Sequence, residues 1–461
     1  MSGIVQCFFK AAPTCVLART VLEQLFDSQR LDALFKRSAE QQYERELLFS
    51  STVDVMLHVV LGLKPSVHAA YKHLRNEIPT SFQSVYGKLA HTDDAVSEAL
   101  VFDSAVQIRP VMKALNAPLP EPVPGFRARV VDGNLLGKTE RRIKPLRNHW
   151  SRGLPGRALV VYEPASDLVT HVFLNRDAHA CERTRMDEVL ALVEPGDLWL
   201  ADSLYCTHHI LRTIHNRGAR FLVRQHSNMT GRLLGERREI GRTSTGMVYE
   251  QELEMIGPNE GWVIRRLTLV LDQQTTDGDK EIHVLTNVLE SEADAVVLMD
   301  AYRQRWTIEK RFYEVWQMLN AEPKTLAYPA AALFAFCLGL MASNAVALMR
   351  AALRSVHPRE QVADMSNYHM ALEIRENYPG MMIVWPQASP EERRVVTAEE
   401  LAERLRLIAS WVCPEKYRKS KRGPKKPPPP KTPYRNGHTL STQRLLDEQA
   451  AVKKAAAKKA P

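Results

Sequence analysis

The sequence has few of the features that mark secreted and membrane proteins. Its six cysteines are scattered over 461 residues without C-x-x-C spacing, which argues against a disulfide framework and favours a reducing cytoplasm. The first 20 residues contain no convincing cleavage site, so a secretory signal is not expected. No uninterrupted apolar run is long enough to span a bilayer, and we interpret residues 331–349, which contain Ser343 and Asn344, as a buried core helix. These absences predict a cytoplasmic protein without a membrane partner.

An excess of positive charge is also missing from most of the chain. The formal net charge is +9, but residues 416–461 hold 14 Lys and Arg against Asp447 and Glu448, which leaves residues 1–415 at −3. Any binding of nucleic acid by the body of the protein must therefore depend on local basic patches. The tail itself contains KYRKSKRGPKKPPPPK and shows no face that could pack, so we predict that it is disordered.

Hydrophobic patterning divides the chain into predicted segments and indicates an α/β fold. The N-terminal part has helical periodicity and is a predicted DNA-binding domain, either a helix-turn-helix or an ordinary helical bundle. After a proline-rich linker, short apolar runs follow the order strand-strand-strand-helix-strand-helix-strand, which is typical of a sheet covered by helices. The predicted boundaries are 1–115 for the helical domain, 125–226 for the first part of the core, 227–290 for a β-rich insertion, 291–350 for the last part of the core, 351–415 for a helical C-terminal region and 416–461 for the tail.

The most informative segment is AYRQRWTIEKRFYEVWQ at residues 301–317. Tyr302, Arg305 and Glu309 occupy positions i, i+3 and i+7, which share one face of a helix. Arginine can donate two parallel hydrogen bonds to a phosphate, and a glutamate carboxylate suits a hard divalent cation. The alternative is a solvated Arg305–Glu309 ion pair, which is common on helices.

Two aspartates follow predicted core strands. Asp132 follows FRARVV and Asp202 closes DLWLAD, and open α/β sheets bind their ligands at the carboxyl ends of strands. Together with Glu309, the two aspartates could hold two Mg²⁺ ions, for which Mn²⁺ is a possible substitute. Taken alone, Asp132 and Gly133 could instead form a simple turn.

These motifs resemble those of bacterial insertion-sequence DDE transposases, in the insertion-sequence-four family that carries a Tyr-Arg-Glu-Lys signature. The matching pieces are RVVDGN, LWLADSLY, HVLTNVL and YRQRWTIEKRF, and the similarity covers roughly residues 80–350. The resemblance implies a ribonuclease-H-like core interrupted by a β-rich insertion. It also implies two divalent metal ions held by the catalytic residues Asp132, Asp202 and Glu309.

The same resemblance implies a function and its partners. It predicts cleavage of double-stranded DNA at transposon ends and strand transfer into target DNA, by a nucleoid-associated homodimer and through a DNA-hairpin intermediate. Tyr302 and Arg305 are the predicted phosphate-positioning residues. A nuclease that does not join strands, or a decayed transposase that only binds DNA, are the alternatives.

One position departs from the signature. Its lysine would fall at position 316, where this chain has Trp316. The change predicts a weaker phosphate contact, which Lys310 or Arg311 could partly replace. Trp316 itself suits either the protein core or stacking on a base.

A basic stretch follows the Asp132 strand and contains only one acidic residue, Glu140. We interpret it as a surface that contacts DNA phosphates without reading sequence, although a solvated loop is the alternative. Its basic residues are Lys138, Arg141, Arg142, Lys144, Arg147, Arg152 and Arg157.

Overall fold

A computed structural model of the chain shows an α/β protein built around one large mixed sheet. It describes residues 3–40, 46–137, 143–147, 153–229, 231–256, 261–275, 278–305, 308–309, 312, 319–385, 396–420, 423 and 439–459. The strands are β1 (Arg127–Leu136), β2 (Gly153–Leu154), β3 (Gly156–Glu163), β4 (Leu168–Asn175), β5 (Asp197–Ala201), β6 (Arg220–Arg224), β7 (Gly231–Thr243), β8 (Gly246–Met255), β9 (Val263–Leu271), β10 (Glu281–Thr286) and β11 (Leu440–Ser441).

The α-helices lie mainly before and after the sheet strands. In chain order they are α1 (Gly3–Ala11), α2 (Pro13–Leu25), α3 (Ser28–Ser38), α4 (Phe49–Val60), α5 (Val67–His73), α6 (Phe82–Ala90), α7 (Asp94–Leu115), α8 (Met186–Ala191), α9 (His208–Asn216), α10 (Ala295–Gln304), α11 (Pro329–Arg354), α12 (Arg359–Asp364), α13 (Asn367–Val384), α14 (Ala398–Ala409) and α15 (Thr442–Lys459).

The core strands follow the order expected from the sequence. β3 pairs antiparallel with both β1 and β4, which makes a three-stranded antiparallel unit. β5 then pairs in parallel with β1, and β6 pairs in parallel with β5. The helices α8 and α9 precede these two strands, as parallel pairing requires a crossover connection. The predicted strand and helix order is therefore confirmed.

The β-rich insertion extends the same sheet. β10 pairs antiparallel with β6 and with β9, so that the nine strands have the order β4-β3-β1-β5-β6-β10-β9-β8-β7. The segment GMVYEQELEM predicts a strand with Glu250, Glu252 and Glu254 on one polar face; β8 is such a strand, but Glu250 is buried whereas Glu252 is exposed, so the predicted alternation is not kept. β7 was not predicted as a strand. Its many exposed Arg and Glu side chains suit an edge strand, because charge discourages pairing with another chain.

Helices pack on both faces of the core sheet. One apolar cluster joins β1, β5 and β10 to α7, α10 and α11, and a second joins the opposite face to α8 and α9. The N-terminal residues are helical as predicted, and Ser81 caps α6 by accepting a hydrogen bond from the Ser84 N–H. The DNA-binding role of α1–α7 stays a prediction.

The apolar helix α11 lies in the interior. By length and composition it could cross a membrane, but 94% of its most apolar stretch is buried inside the protein. It contacts α2, α4, α7 and the strand β4. The prediction of a buried core helix at residues 331–349 is confirmed.

Two sequence predictions need correction. The strand that carries Asp132 does not end there but continues to Leu136, because Asp132 and the next four residues pair antiparallel with β3. The tail is also not disordered throughout, since β11 and α15 lie within it. Tyr417, near the start of the predicted tail, is buried as well, and the Ser366 N–H donates to its carbonyl oxygen.

A buried carboxyl group on α7 makes stability depend on pH. Burial raises the pKa of Glu98 from 4.5 to about 7, although the Leu174 N–H and Arg185 favour its charged form. The folded state thus binds this proton more tightly than the unfolded chain, so stability falls as the pH rises through that range. Glu98→Gln keeps the acceptor oxygen and removes the charge.

We therefore expect Glu98→Gln to be more stable than the unmodified protein at about pH 8, by on the order of 1 kcal/mol, and to lose this advantage near about pH 4. Urea unfolding at the two pH values measures the effect. Glu77→Gln, at an exposed position, is the control. An equal difference at both pH values would contradict the assignment.

Candidate active site

The pairing of β1 with β5 places two carboxylates on one face of the sheet. Val130 and Leu200 are partners in this parallel pair, and Asp132 and Asp202 each follow two residues later. Since side chains alternate along a strand, both aspartates share the face of Val130 and Leu200. That face packs against α10 and α11.

The aspartates differ in their surroundings. Asp132 is largely buried, with its side chain 12% exposed, because β1 continues past it. Asp202 follows the last residue of β5, and its Oδ1 accepts a hydrogen bond of 2.8 Å from the Leu204 N–H. This bond holds the Asp202 side chain at the start of a short 3₁₀ turn.

Arg305 connects the strand to the helical motif. Its Nη1 donates to Asp132 Oδ2 at 3.0 Å, and its Nη2 donates to Glu309 Oε1 at 3.2 Å. The Arg305 side chain is only 8% exposed, whereas that of Glu309 is 56% exposed. A solvated surface pair would leave Arg305 exposed, so that alternative is rejected. The helical motif instead reaches the strand residue Asp132, 173 positions away.

The neighbouring charges act on the Asp132 carboxyl group. Its pKa is raised from 3.8 to about 7, mainly by burial; Arg305 opposes this rise, while the charges of Asp202 and Glu309 contribute to it. Burial also raises the pKa of Tyr302 to about 12, again with a contribution from Asp202. Tyr302 therefore keeps its proton at neutral pH and is a hydrogen-bond donor beside Arg305.

The carboxylate oxygens of Asp132, Asp202 and Glu309 are suitable ligands for a divalent cation, but they do not surround a single point. Among the described residues, no three His, Cys, Asp or Glu side chains lie close enough together to hold a metal ion. Two of the predicted ligands, Asp132 and Glu309, do already share one cationic group, the Arg305 guanidinium. Carboxylate oxygens are the ligands that Mg²⁺ prefers, and their mutual repulsion at Asp132 is the kind that a cation relieves.

Comparison with known proteins shows what the region around this site is similar to. Residues 124–345 match the family model of the transposase DDE domain, and this range includes Asp132, Asp202 and Glu309. This part of the chain is therefore similar to a transposase DDE domain. No curated protein matches the sequence.

Among solved structures, the chain shows a distant likeness to the piggyBac transposase in a synaptic complex with hairpin DNA, which was determined by cryo-EM. The likeness has a TM-score of 0.38 and 8% sequence identity, over 87% of this chain and 86% of that chain. It is too weak to support a statement about function.

Of the other residues predicted to bind DNA, the structure describes some and not others. Lys144 begins a short 3₁₀ turn and Arg147 follows it, and both are exposed. Three further residues of that basic stretch, Lys138, Arg141 and Arg142, lie outside the described residues, and so does Arg152. The same holds for the segment around the departing signature position, namely Lys310, Arg311 and Trp316.

Sequence analysis missed a group of side chains behind Asp132. Gly133 faces the opposite side of β1, and the Glu182 carboxylate lies where a Gly133 side chain would be. Glu182 accepts a hydrogen bond of 3.0 Å from the fully buried Tyr205 hydroxyl, and Arg157 lies 3.6 Å away. Tyr205 gave a signal in the sequence because it belongs to the motif around Asp202. Arg157 was predicted to contact DNA, but its side chain is largely buried, lies against Glu182 and donates to the Ala180 carbonyl oxygen.

A second missed residue lies on the face of the sheet that carries Asp132. Asn134 is two positions beyond Asp132 on the same side of β1 and is buried. Its side-chain Nδ2 has no hydrogen-bond partner in the described part of the chain. Buried amide donors are normally paired, so Asn134 is a donor available to a bound group.

The position of the Glu182 carboxylate requires a glycine at position 133, and this requirement can be tested. In Gly133→Ala, the new methyl group would displace the Glu182 carboxylate and leave the Tyr205 hydroxyl buried without its acceptor. We expect a loss of about 1–3 kcal/mol in the free energy of unfolding, measured in urea. Gly137→Ala is the matched control, because a methyl group there meets nothing within 4 Å.

The same measurement in a Glu182→Ala background isolates the cause. Removal of the Glu182 carboxylate creates space for the methyl group, so the additional cost of Gly133→Ala should largely disappear in that background. An undiminished cost would contradict the contact between Gly133 and Glu182.

Proposed function

We propose that the protein is a transposase that binds the double-stranded DNA of transposon ends, cleaves it in a metal-dependent reaction and transfers the strands to target DNA. The observation that carries this proposal is the buried Arg305, held between Asp132 and Glu309 within a region similar to a transposase DDE domain. This arrangement joins residues of the central strand and of the helical motif into one charged site.

The proposal includes a ribonuclease-H-like core. The antiparallel unit of β4, β3 and β1, followed by the parallel strands β5 and β6, supports it. The contacts of Arg305 with Asp132 and Glu309, and the nearness of Tyr302 to Arg305, support the insertion-sequence-four type with its Tyr-Arg-Glu signature. Action as a homodimer on DNA, with the protein at the cytoplasmic nucleoid, is part of the same proposal.

Within this proposal, the carboxylates of Asp132, Asp202 and Glu309 would hold two Mg²⁺ ions, or Mn²⁺ as a substitute. Such a pair of ions supplies activation of the attacking oxygen and stabilisation of the leaving oxygen. All three ligands are oxygen donors, and the pKa of Asp132, which burial raises most, is raised in part by the charges of Asp202 and Glu309.

The remaining polar groups of the site bind and orient the phosphodiester. Arg305 neutralises Asp132 and Glu309, and its planar fork can donate to two phosphate oxygens. The protonated Tyr302 hydroxyl is an uncharged donor next to it. Lys144 and Arg147 are exposed after β1, where they can contact phosphates farther along the DNA.

A direct test uses DNA that carries the inverted repeats flanking the gene. Purified protein with Mg²⁺ should cut at the repeat ends and join the released ends to a second DNA molecule. Hydrolysis without joining would identify a nuclease instead. Binding of the ends without cleavage in either Mg²⁺ or Mn²⁺ would identify a decayed transposase, and Trp316→Lys would then show whether the signature lysine is the missing group.

A further inference from the structure

The last described residues of the chain fold back onto the core. We name residues 439–459 the C-terminal arm. Its strand β11 pairs in parallel with β2, with Leu440 opposite Gly153 and Ser441 opposite Leu154. The backbones can approach because residue 153 is a glycine: a methyl group there would lie 2.7 Å from Leu146 Cδ1 and 3.1 Å from Thr442 Oγ1.

Polar and apolar contacts extend this pairing into α15. Arg444 Nε donates to Asp177 Oδ2 at 2.8 Å, and His179 Nε2 lies 3.3 Å from Thr439 Oγ1. On the other side, Leu445 is buried against Leu146 and Ala327 in a small apolar cluster separate from the main cores. The arm is therefore attached by a strand pair, an ion pair and one buried leucine.

The surface that receives the arm is assembled from three segments, each connected to the candidate active site. Residues 143–147 and 153–154 follow the Asp132 strand, and the first of these ranges contains Lys144 and Arg147. Residues 177–179 precede Glu182, which lies against Gly133. Ala327 lies between the Glu309 segment and α11. The arm thus contacts three segments, each of which is close in sequence to a different residue of the candidate active site.

We propose that the surface formed by residues 143–146, 153–154, 177–179 and Ala327 is a docking site for the C-terminal arm, and that docking holds Lys144 and Arg147 in position to contact DNA phosphates. The contacts described above are sufficient to support docking of the arm. The effect of docking on DNA binding rests on the proposed function. Leu445 and Arg444 are positioning residues, because they act on DNA through the segment that they hold.

The test compares two substitutions in the same helix of the full-length protein. Leu445 is 6% exposed at the docking site, whereas Val452, about two turns farther along α15, is 69% exposed. Leu445→Asp should release the arm, because burial of a carboxylate without a partner is costly. Val452→Asp introduces the same charge without any docking contact.

Hydrogen–deuterium exchange reports docking without reference to activity. In Leu445→Asp we expect the amides of residues 143–147 and 153–154 to exchange at least about tenfold faster, while those of β5 and β6 keep their rates. Arg444→Ala should give a smaller change in the same amides, since its ion pair with Asp177 is partly exposed. Val452→Asp should match the unmodified protein. Unchanged exchange in Leu445→Asp, or equal changes in both Asp variants, overturns the docking.

DNA affinity tests the consequence. Leu445→Asp should weaken binding of end DNA several-fold relative to Val452→Asp, with a reduced dependence of affinity on salt, because fewer phosphates are contacted. Faster exchange with unchanged DNA affinity overturns the role of docking in DNA binding. Failure of the proposed function is a different result, in which the unmodified protein neither binds nor cleaves end DNA while the exchange pattern still shows a docked arm.

Discussion

Arg305→Ala is expected to destabilise the metal-free protein by about 3 kcal/mol at about pH 8, one of the largest effects of any single substitution in the site. The substitution leaves the Asp132 carboxylate buried without the guanidinium that balances it. Loss of Arg305 also raises the pKa of Asp132 above about 7, since Arg305 is the group that lowers it. At about pH 5 Asp132 is then protonated in the folded state, so the cost should be much smaller.

Urea unfolding at the two pH values measures this difference. Arg303→Ala is the matched control, because Arg303 lies two residues earlier, in the last turn of α10, with an exposed side chain paired to Asp300. Its effect should be small and independent of pH. Equal destabilisation by Arg305→Ala at both pH values would show that Arg305 contributes through packing and not through the charge of Asp132.

Alanine at Asp132, Asp202 or Glu309 should each lower the rate of end cleavage by at least about a hundredfold while DNA affinity changes little. The reason is that these carboxylates act on the reacting phosphate through the metal ions, whereas binding depends mainly on contacts between basic side chains and phosphates. Each variant is compared with Asp300→Ala, which removes a more exposed carboxylate from α10.

The measurements are single-turnover cleavage rates and equilibrium binding to the same DNA. Undiminished cleavage by any of the three variants would remove that residue from the site. A parallel loss of binding and cleavage would instead point to a structural role for the residue, and the unfolding free energy of the variant would show it.

The sequence predicted only part of the local geometry of the site. It placed Tyr302, Arg305 and Glu309 on one face of a single helix, whereas α10 ends at Gln304 and Arg305 directly follows it. The Arg305–Glu309 contact that this spacing predicts is present, at 3.2 Å. The order of the core strands was also predictable, because each strand has its own apolar run. What the spacing could not show was that Arg305 also reaches Asp132, which depends on how α10 packs against the sheet.

The missed features depend on contacts between distant segments. Glu182 lies in a short polar 3₁₀ turn, and nothing in its neighbourhood indicates that it meets Gly133, 49 positions earlier. The continuation of β1 beyond Asp132 depends on pairing with β3, while Gly133 and Asn134 suggested a turn. The C-terminal arm docks through Leu440 and Leu445, which are too few to give a periodic pattern in a lysine-rich tail.

The central claim is that Asp132, Asp202 and Glu309 form one metal site, and binding of Mn²⁺ followed by electron paramagnetic resonance tests it most directly. With end DNA present, we predict two bound ions per chain in the unmodified protein. In Asp132→Ala at least one of these ions should be lost, while Asp300→Ala should retain both. Binding of the same number of ions by Asp132→Ala and by the unmodified protein would contradict the claim.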